Sequence, residues 1–265
     1  MTVWQAAVLG VVQGLTEFLP ISSSAHLALF PWIFGWPYMG LAFDVALHWG
    51  TLLAVAVYFH RDWRALAAGV WRAARERRGN AEASLTAKLA VGSLPAAAAG
   101  LLLEDAAESV LRSPWIIAVM LAAVAVVLWA LDRRARPGPA DAVPGWGSAV
   151  LIGAAQAVAL VPGTSRSGIT MAAGLMVGLP RPAAARFSFL LSAPITLGAG
   201  LHQLKDFGAA PPLPLAVGLV TSALAGGAAI GFLLRFLARG SFAPFAVYRL
   251  LLAGLVVGLL LTRAG

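Results

Sequence analysis

The sequence predicts an all-α integral membrane protein, and three observations support this prediction. Apolar residues make up 60% of the 265 residues, whereas charged residues make up only 11%. Soluble domains are typically about 45–50% apolar and about 25% charged, so a soluble protein of this size could not bury the excess apolar surface. Six apolar runs also approach the roughly 20 residues that a helix needs to cross the hydrocarbon core of a bilayer.

Each of the six runs predicts one transmembrane helix. The runs cover about residues 41–59, 86–103, 115–131, 186–204, 213–234 and 245–262. Four shorter apolar segments form two pairs, residues 3–19 with 23–34 and residues 146–161 with 166–178. A polar break that contains proline divides each pair, and irregular backbone at membrane depth persists only where protein or a wet cavity covers it. Each pair therefore predicts a re-entrant helical hairpin.

The two halves of the chain resemble each other. Residues 9–13 align with residues 152–156, and four single pairs follow: Pro20 with Pro162, Ser23 with Ser165, Phe43 with Phe187 and Asp62 with Asp206. Each half would hold one hairpin and three spanning helices, and an odd number of spans inverts the second copy. We therefore expect one membrane domain over residues 1–265 with an inverted-topology repeat, the first copy at about 1–131 and the second at about 145–265.

The positions of lysine and arginine predict the orientation. If the N-terminus is outside, the inside loops carry Arg61, Arg64, Arg72, Arg75, Arg77, Arg78, Arg133, Arg134, Arg136, Arg181, Arg186, Arg235 and Arg239. The outside loops then carry only Arg112, Lys205 and Arg263. This bias predicts extracytoplasmic termini and a long cytoplasmic basic loop. The same placement between apolar runs argues against nucleic-acid binding, despite the net charge of +8.

Composition also limits the chemistry. The absence of cysteine excludes disulfides, thiol catalysis and cysteine-based metal sites, and the four dispersed histidines form no HExxH zinc motif. Ionisable side chains within apolar segments are costly and therefore mark candidate functional positions; three basic examples are Lys88, Arg166 and Arg249.

Glu17 is the sharpest acidic candidate. It follows Gln13 by four residues, so both lie on one helix face, where the carboxylate could hold a divalent cation, act as a base or pair with Arg166. A buried ion pair with no further role is the structural alternative. Beyond the break, Ser23 and His26 are three residues apart and can share a face, which would suit a nucleophile beside a base.

The second break, residues 162–168, predicts a phosphate cradle. Glycine removes the steric limits on the turn, and backbone N–H groups at the start of the next helix favour an anion. The planar guanidinium of arginine matches phosphate oxygens. The predicted phosphate-binding residues are Gly163, Thr164, Ser165, Arg166, Ser167 and Thr170. The alternative is an ordinary loop with a snorkelling arginine. Together, the two breaks suit phosphoryl transfer, in which positioning and charge stabilisation do most of the work.

Asp44 and His48 form a weaker pair of candidates, four residues apart on one predicted span. They could line the cavity of the site or simply pair with each other.

Residues 13–24, Gln-Gly-Leu-Thr-Glu-Phe-Leu-Pro-Ile-Ser-Ser-Ser, and residues 162–168, Pro-Gly-Thr-Ser-Arg-Ser-Gly, resemble the paired signatures of a bacterial family. This is the undecaprenyl-diphosphate phosphatase family of the bacitracin-resistance type. Residues 184–189 also resemble the family, and the resemblance covers essentially the whole chain.

The resemblance implies a hydrolase of the bacterial cytoplasmic membrane with an extracytoplasmic active site. Its substrate would be undecaprenyl diphosphate, cleaved to undecaprenyl phosphate and inorganic phosphate for reuse in cell-wall synthesis, and it would need a divalent cation, Mg²⁺ or Ca²⁺. By motif position, Glu17, Ser23, His26 and Arg166 match catalytic residues, and Ser165 and Thr170 match further functional residues.

The implied cation ligands are Glu17 and Gln13, the latter at a position where the family has Glu or Gln. Glutamine there removes one ligand charge. Ser24 and Ala25 also stand where Thr and Gly are common.

Several alternatives stay open at this point. Ser23 could attack the substrate, or His26 could activate water. A transporter or flippase of polyprenyl phosphates could use the same cradle without cleavage, because broken helices in inverted repeats are common in transporters. A homodimer is a further expectation.

Overall fold

The computed structural model describes residues 1–37, 40–108, 113–202 and 212–264, and within these ranges the chain forms eleven helices and no strand. The helices are α1 (Val3–Phe18), α2 (Ser23–Phe34), α3 (Leu41–Tyr58), α4 (His60–Glu76), α5 (Ala81–Glu108), α6 (Pro114–Asp132), α7 (Trp146–Val158), α8 (Arg166–Met176), α9 (Arg181–His202), α10 (Pro212–Leu237) and α11 (Ala243–Ala264). Among the residues named above, Arg112, Lys205 and Asp206 lie outside the described ranges, and Arg263 belongs to α11 rather than to a loop.

Among the described residues, five helices are long and apolar enough to span a membrane: Ala81–Leu103 of α5, together with α6, α9, α10 and most of α11. A sixth span arises if Phe43–Tyr58 and His60–Glu76, which meet at a 74° bend, are taken as one. Each of the six apolar runs coincides with one of these helices, with α3 as the sixth. The chain is therefore a multi-pass membrane protein.

The basic segment after α3 contains a helix that hydropathy alone did not predict. Residues 61–78 were expected to form a loop, but most of them form α4. This helix buries Leu66 and Gly69 and exposes most of its arginines, and the Asn80 side chain donates to the Gly69 carbonyl at 2.8 Å. Such an amphipathic helix has too few apolar residues to register as a span, because only one stripe of it needs to be apolar.

The two pairs of short helices begin where the sequence placed them and end up to three residues earlier than expected. α1 and α2 flank the first break, and α7 and α8 flank the second. Glycines let the first member of each pair approach a long helix closely. A Cβ atom on Gly10 of α1 would collide with the Gly218 carbonyl of α10, and one on Gly153 of α7 would collide with the Gly92 carbonyl of α5. Small residues are the usual means of such close packing in membranes.

The two breaks end in the same cap. Ser22 caps α2 with φ 77° and ψ 94°, and Ser165 caps α8 with φ 70° and ψ 108°. In each case the hydroxyl accepts from the N–H three residues later, that of Ala25 or Gly168. The alignment of Ser23 with Ser165 was therefore wrong by one residue, because the geometry pairs Ser22 with Ser165 and hence Ser23 with Arg166.

Candidate active site

The two breaks meet at a buried ion pair. Glu17 lies in the last turn of α1, and Arg166 is the first residue of α8. Although the two residues are far apart in sequence, Nη2 of Arg166 donates to Oε1 of Glu17. The side chains are only 5% and 17% exposed, so the pair is well shielded from solvent. Loss of either partner would leave the other charge buried and uncompensated.

Two more side chains hold the second oxygen of this carboxylate. Ser23 Oγ donates to Oε2 of Glu17 at 2.5 Å, and Nε2 of Gln13 donates to the same oxygen at 3.0 Å. Ser23 is half-buried at the first position of α2, whereas Gln13 is fully buried. A hydroxyl that already donates to a carboxylate has a proton acceptor in place.

His26 makes its hydrogen bonds with residues other than Ser23 and Glu17. Its Nδ1 donates to the Ser22 carbonyl at 2.6 Å, and its Nε2 accepts from the Tyr248 hydroxyl at 2.7 Å. The ring also stacks on Tyr248, with centroids 5.7 Å apart. Ser23 and His26 lie three residues apart on α2, as expected, but both ring nitrogens of His26 have partners other than Ser23.

The six residues predicted to cradle phosphate lie together, but most of their hydroxyls already have partners within the protein. Thr164 donates to the Val158 carbonyl at 3.1 Å, and Ser167 donates to the Leu19 carbonyl at 3.2 Å. Thr170 donates to the Arg166 carbonyl at 2.7 Å and lies 2.6 Å from the Ser188 hydroxyl. These contacts fix the loop and join it to the first break.

What remains to face a phosphate is therefore Arg166 and the start of α8. The first N–H groups of a helix have no partner within the helix, and its dipole favours an anion there. Gly163, with φ 93°, adopts a conformation that suits glycine, and it packs against the backbone of Ile117. Ser165 serves as the cap that starts α8, with its hydroxyl 3.2 Å from that of Ser167.

Arg249 on α11 is a buried residue that links both breaks. Its guanidinium is fully buried and donates to five main-chain carbonyls, those of Pro20, Met120, Leu121, Gly163 and Thr164. Nη2 makes three of these contacts with two N–H groups, so one N–H is shared, whereas Nε and Nη1 make one contact each. In the sequence, Arg249 is marked only by its charge within an apolar segment, and that signal could have identified it as a functional residue.

His48 on α3 also reaches the site. Its Nδ1 donates to the Asp44 backbone carbonyl at 2.7 Å, and its Nε2 lies 3.5 Å from Oε2 of Glu17. The side chain is 30% exposed, so His48 is more open to solvent than the Glu17 carboxylate that it faces. Of the two roles considered for Asp44 and His48, the geometry favours His48 as part of the site lining.

A divalent cation fits this site only if the protein and the substrate phosphates bind it together. Among the described residues, no group of three or more His, Cys, Asp or Glu side chains could hold a metal ion. Oε1 of Gln13, however, is buried and has no hydrogen-bond partner, close to the Glu17 carboxylate. Mg²⁺ is often bound through one or two carboxylates plus substrate phosphates, and Glu17 with Gln13 offers such an oxygen set.

Comparison with known proteins gives one consistent result. The family model described as bacitracin resistance protein BacA matches residues 6–255. The undecaprenyl-diphosphatase of Gemmatimonas aurantiaca is 50% identical over 269 residues, which covers 99% of this chain and all of that protein. Those of Pelotomaculum thermopropionicum and Moorella thermoacetica are each 48% identical, covering 97% and 99% of this chain and 96% and 100% of their own.

Proposed function

Because the chain belongs to the bacitracin resistance protein BacA family, we propose that it is an undecaprenyl-diphosphatase, a hydrolase of the membrane. It removes the terminal phosphate of undecaprenyl diphosphate and yields undecaprenyl phosphate and inorganic phosphate. The observation that best supports this function is the buried cluster of Ser23, Glu17 and Arg166. It combines a hydroxyl, a base and a phosphate-binding cation at the junction of two helix breaks.

The lipid tail lies among the apolar helices while the diphosphate enters the polar junction. Arg166 and the N–H groups at the start of α8 bind the terminal phosphoryl group. Ser23 already donates to Glu17 at 2.5 Å, so the carboxylate is placed to accept the hydroxyl proton as Oγ approaches phosphorus.

In the first step, a bond forms between Ser23 Oγ and the terminal phosphorus, and the bond from that phosphorus to the bridging oxygen breaks. The electron pair leaves with the bridging oxygen, and the serine proton passes through Glu17 to the departing undecaprenyl phosphate. Water then attacks the phosphoserine. Glu17 accepts a proton from this water and returns one to Ser23 Oγ, which releases inorganic phosphate.

The alternative in which His26 activates water has less geometric support. Its Nε2 accepts from Tyr248 and its Nδ1 donates to Ser22, so neither nitrogen is directed to Ser23 or Glu17. His26 instead connects the start of α2 to α11, which makes it a support for Ser23 in the proposed mechanism.

A divalent cation, Mg²⁺ or Ca²⁺, would be held by Glu17 and Gln13 together with phosphate oxygens. When bound, it would neutralise charge on the diphosphate. Gln13 contributes a neutral oxygen donor, so the protein itself supplies one negative charge to this cation.

At the level of the fold, we propose that each short pair is a re-entrant hairpin and that residues 1–131 and 145–265 form an inverted-topology repeat within one domain. The matched caps at Ser22 and Ser165 support this arrangement. The arginine-rich segment around α4 supports extracytoplasmic termini and an extracytoplasmic opening of the site. The homodimer stays a prediction from the sequence, which light scattering in detergent would test.

The experiment that tests the function is phosphate release from undecaprenyl diphosphate by purified protein in detergent, with and without EDTA. Glu17→Ala and Arg166→Ala are measured alongside the wild type. We expect metal-dependent release that both substitutions abolish. Hydrolysis can be measured in detergent, whereas transport cannot, because no gradient exists there. If well-folded wild type bound the lipid diphosphate but released no phosphate, we would conclude that the protein is a transporter rather than a phosphatase.

A further inference from the structure

The Nε2 atom of His48 faces Glu17 in a way that calls for a positive charge between them. The Asp44 carbonyl can only accept, so the proton of a neutral His48 ring is on Nδ1 and Nε2 is a bare acceptor. Oε2 of Glu17, 3.5 Å away, also has only lone pairs to offer. Two acceptors at this distance repel unless a cation lies between them or the ring carries a second proton.

Gln13 provides an independent sign that a partner is missing at this place. Its side chain is fully buried, Nε2 donates to Oε2 of Glu17, and Oε1 has no hydrogen-bond partner. A buried carbonyl oxygen without a partner costs about 1–3 kcal/mol, so it normally marks a bound water or ion. A cation bound by Oε1 would remove this penalty while Nε2 keeps its hydrogen bond to Glu17.

We propose that His48 is a cation ligand, which joins Glu17 and Gln13 in one divalent-cation site. Two ligands each about 2.1 Å from one metal ion lie about 3–3.5 Å apart at bond angles of about 90–110°. The 3.5 Å between Nε2 of His48 and Oε2 of Glu17 falls at the upper end of this range. The Asp44 carbonyl acts as the outer partner that fixes the ring orientation, as is usual for metal-bound histidine.

The nitrogen ligand changes which cation the site prefers. Oxygen-only sites suit Mg²⁺ and Ca²⁺, whereas imidazole favours first-row transition ions. A site with one imidazole, one carboxylate and one amide oxygen therefore binds Mn²⁺ more tightly than Ca²⁺. The partial exposure of His48 gives the ion a route to the buried Glu17 carboxylate. The binding of the ion by His48 does not depend on the proposed function, but the role of the bound ion in catalysis does.

The test uses Mn²⁺ as the probe on full-length protein in detergent, without substrate. Pulsed electron paramagnetic resonance reports ¹⁴N coupling when an imidazole nitrogen is bound to Mn²⁺, and titration gives the Mn²⁺ affinity. We expect ¹⁴N coupling in the wild type, and its loss in His48→Gln with an affinity at least about tenfold weaker. Loss of an outer partner alone typically costs about 10–100-fold.

His60→Gln is the matched control, because the Nδ1 of His60 also donates to a backbone carbonyl, that of Val57 at 2.8 Å, but its ring lies outside the cluster. This variant should keep both the coupling and the affinity. Ca²⁺ should displace Mn²⁺ more readily from His48→Gln than from the wild type.

A wild type without ¹⁴N coupling, or a His48→Gln variant that keeps it, would overturn the proposal and leave His48 as a lining residue beside Glu17. Phosphate release by the same wild-type preparation is measured separately. Phosphate release without ¹⁴N coupling would reject His48 as a cation ligand and support the phosphatase function. Coupling without phosphate release would support the cation ligand and reject the phosphatase function.

Discussion

The first and second breaks share a backbone but differ in the side chains that the backbone presents. Ser22 and Ser165 have nearly the same φ and ψ, and each caps the helix that follows. The next residue is Ser23 in the first break and Arg166 in the second, and both side chains contact Glu17. One cap geometry thus presents a hydroxyl from one side and a guanidinium from the other to the same carboxylate.

The helices before the breaks differ in the same way. Gln13 in α1 and Gln156 in α7 occupy equivalent positions, but the position equivalent to Glu17 is Leu160. Only the first break therefore supplies a carboxylate. The comparison teaches that two breaks with the same cap geometry can form one asymmetric site, to which each break contributes a different chemical group.

The largest effect is expected at Ser23. Removal of a nucleophile in a hydrolase costs as much as about 10⁶-fold in kcat, so Ser23→Ala should lower phosphate release by about 10⁴-fold or more. Ser24→Ala is the matched control, because the Ser24 hydroxyl lies 3.3 Å from that of Ser22 and is not bonded to Glu17 in the structure. Wild-type turnover in Ser23→Ala would remove the nucleophile from the first break and end the proposed division of roles.

The second-largest loss of phosphate release is expected for substitutions of Arg166. Arginine that stabilises a transferring phosphoryl group is worth about 10³–10⁵-fold in rate, and Arg166→Ala should lose at least about 10³-fold. Arg166→Lys keeps the charge but not the fork, so we expect only partial recovery. Arg181→Lys, which alters an arginine paired with Asp132 at 2.5 Å, serves as the comparison and should keep its activity. Equal activity in Arg166→Lys and the wild type would show that charge alone suffices.

Gln13 and Gln156 offer a direct contrast between the copies. Both side-chain polar atoms of Gln156 are buried and have no hydrogen-bond partner, so Gln156→Leu should raise the free energy of unfolding by up to about 1 kcal/mol. Gln13→Leu removes a donor to Glu17 and should lower phosphate release instead. Thermal unfolding in detergent and the activity assay separate the two. A destabilised Gln156→Leu would mean that Gln156 binds a partner of its own.

The caps should give the smallest effects. Ser22→Ala and Ser165→Ala each remove a hydroxyl that accepts from a backbone N–H, which typically costs about 0.5–2 kcal/mol. We expect similar losses of thermal stability in the two variants, because the caps have the same geometry. A loss confined to one variant would show that the breaks are not equivalent in energy.

The sequence predicted the spanning helices and the two breaks well, because long apolar runs and proline are strong local signals. It missed α4, because an amphipathic helix shows only a stripe of apolar residues such as Leu66. It also misaligned the breaks, since matching Pro20 with Pro162 required a one-residue shift that the caps do not share.

The candidate site shows the same limit. The sequence predicts Glu17, Ser23 and Arg166 as candidates because they are polar residues in apolar surroundings. The structure brings these three side chains into contact. The partners of His26 and His48 could not be predicted from spacing. Helical spacing places His26 near Ser23, but its contact with Tyr248 depends on how α11 packs, which no local pattern encodes.

Arg249 has a mechanical consequence for the whole molecule. Its guanidinium binds the Pro20 carbonyl of one break, the Gly163 and Thr164 carbonyls of the other, and two carbonyls of α6. Any motion that separated the two breaks would remove hydrogen-bond acceptors from the buried guanidinium of Arg249. Its partners in the structure are backbone carbonyls, and no carboxylate is among them. These contacts therefore oppose separation of the two breaks, so Arg249 stabilises their junction.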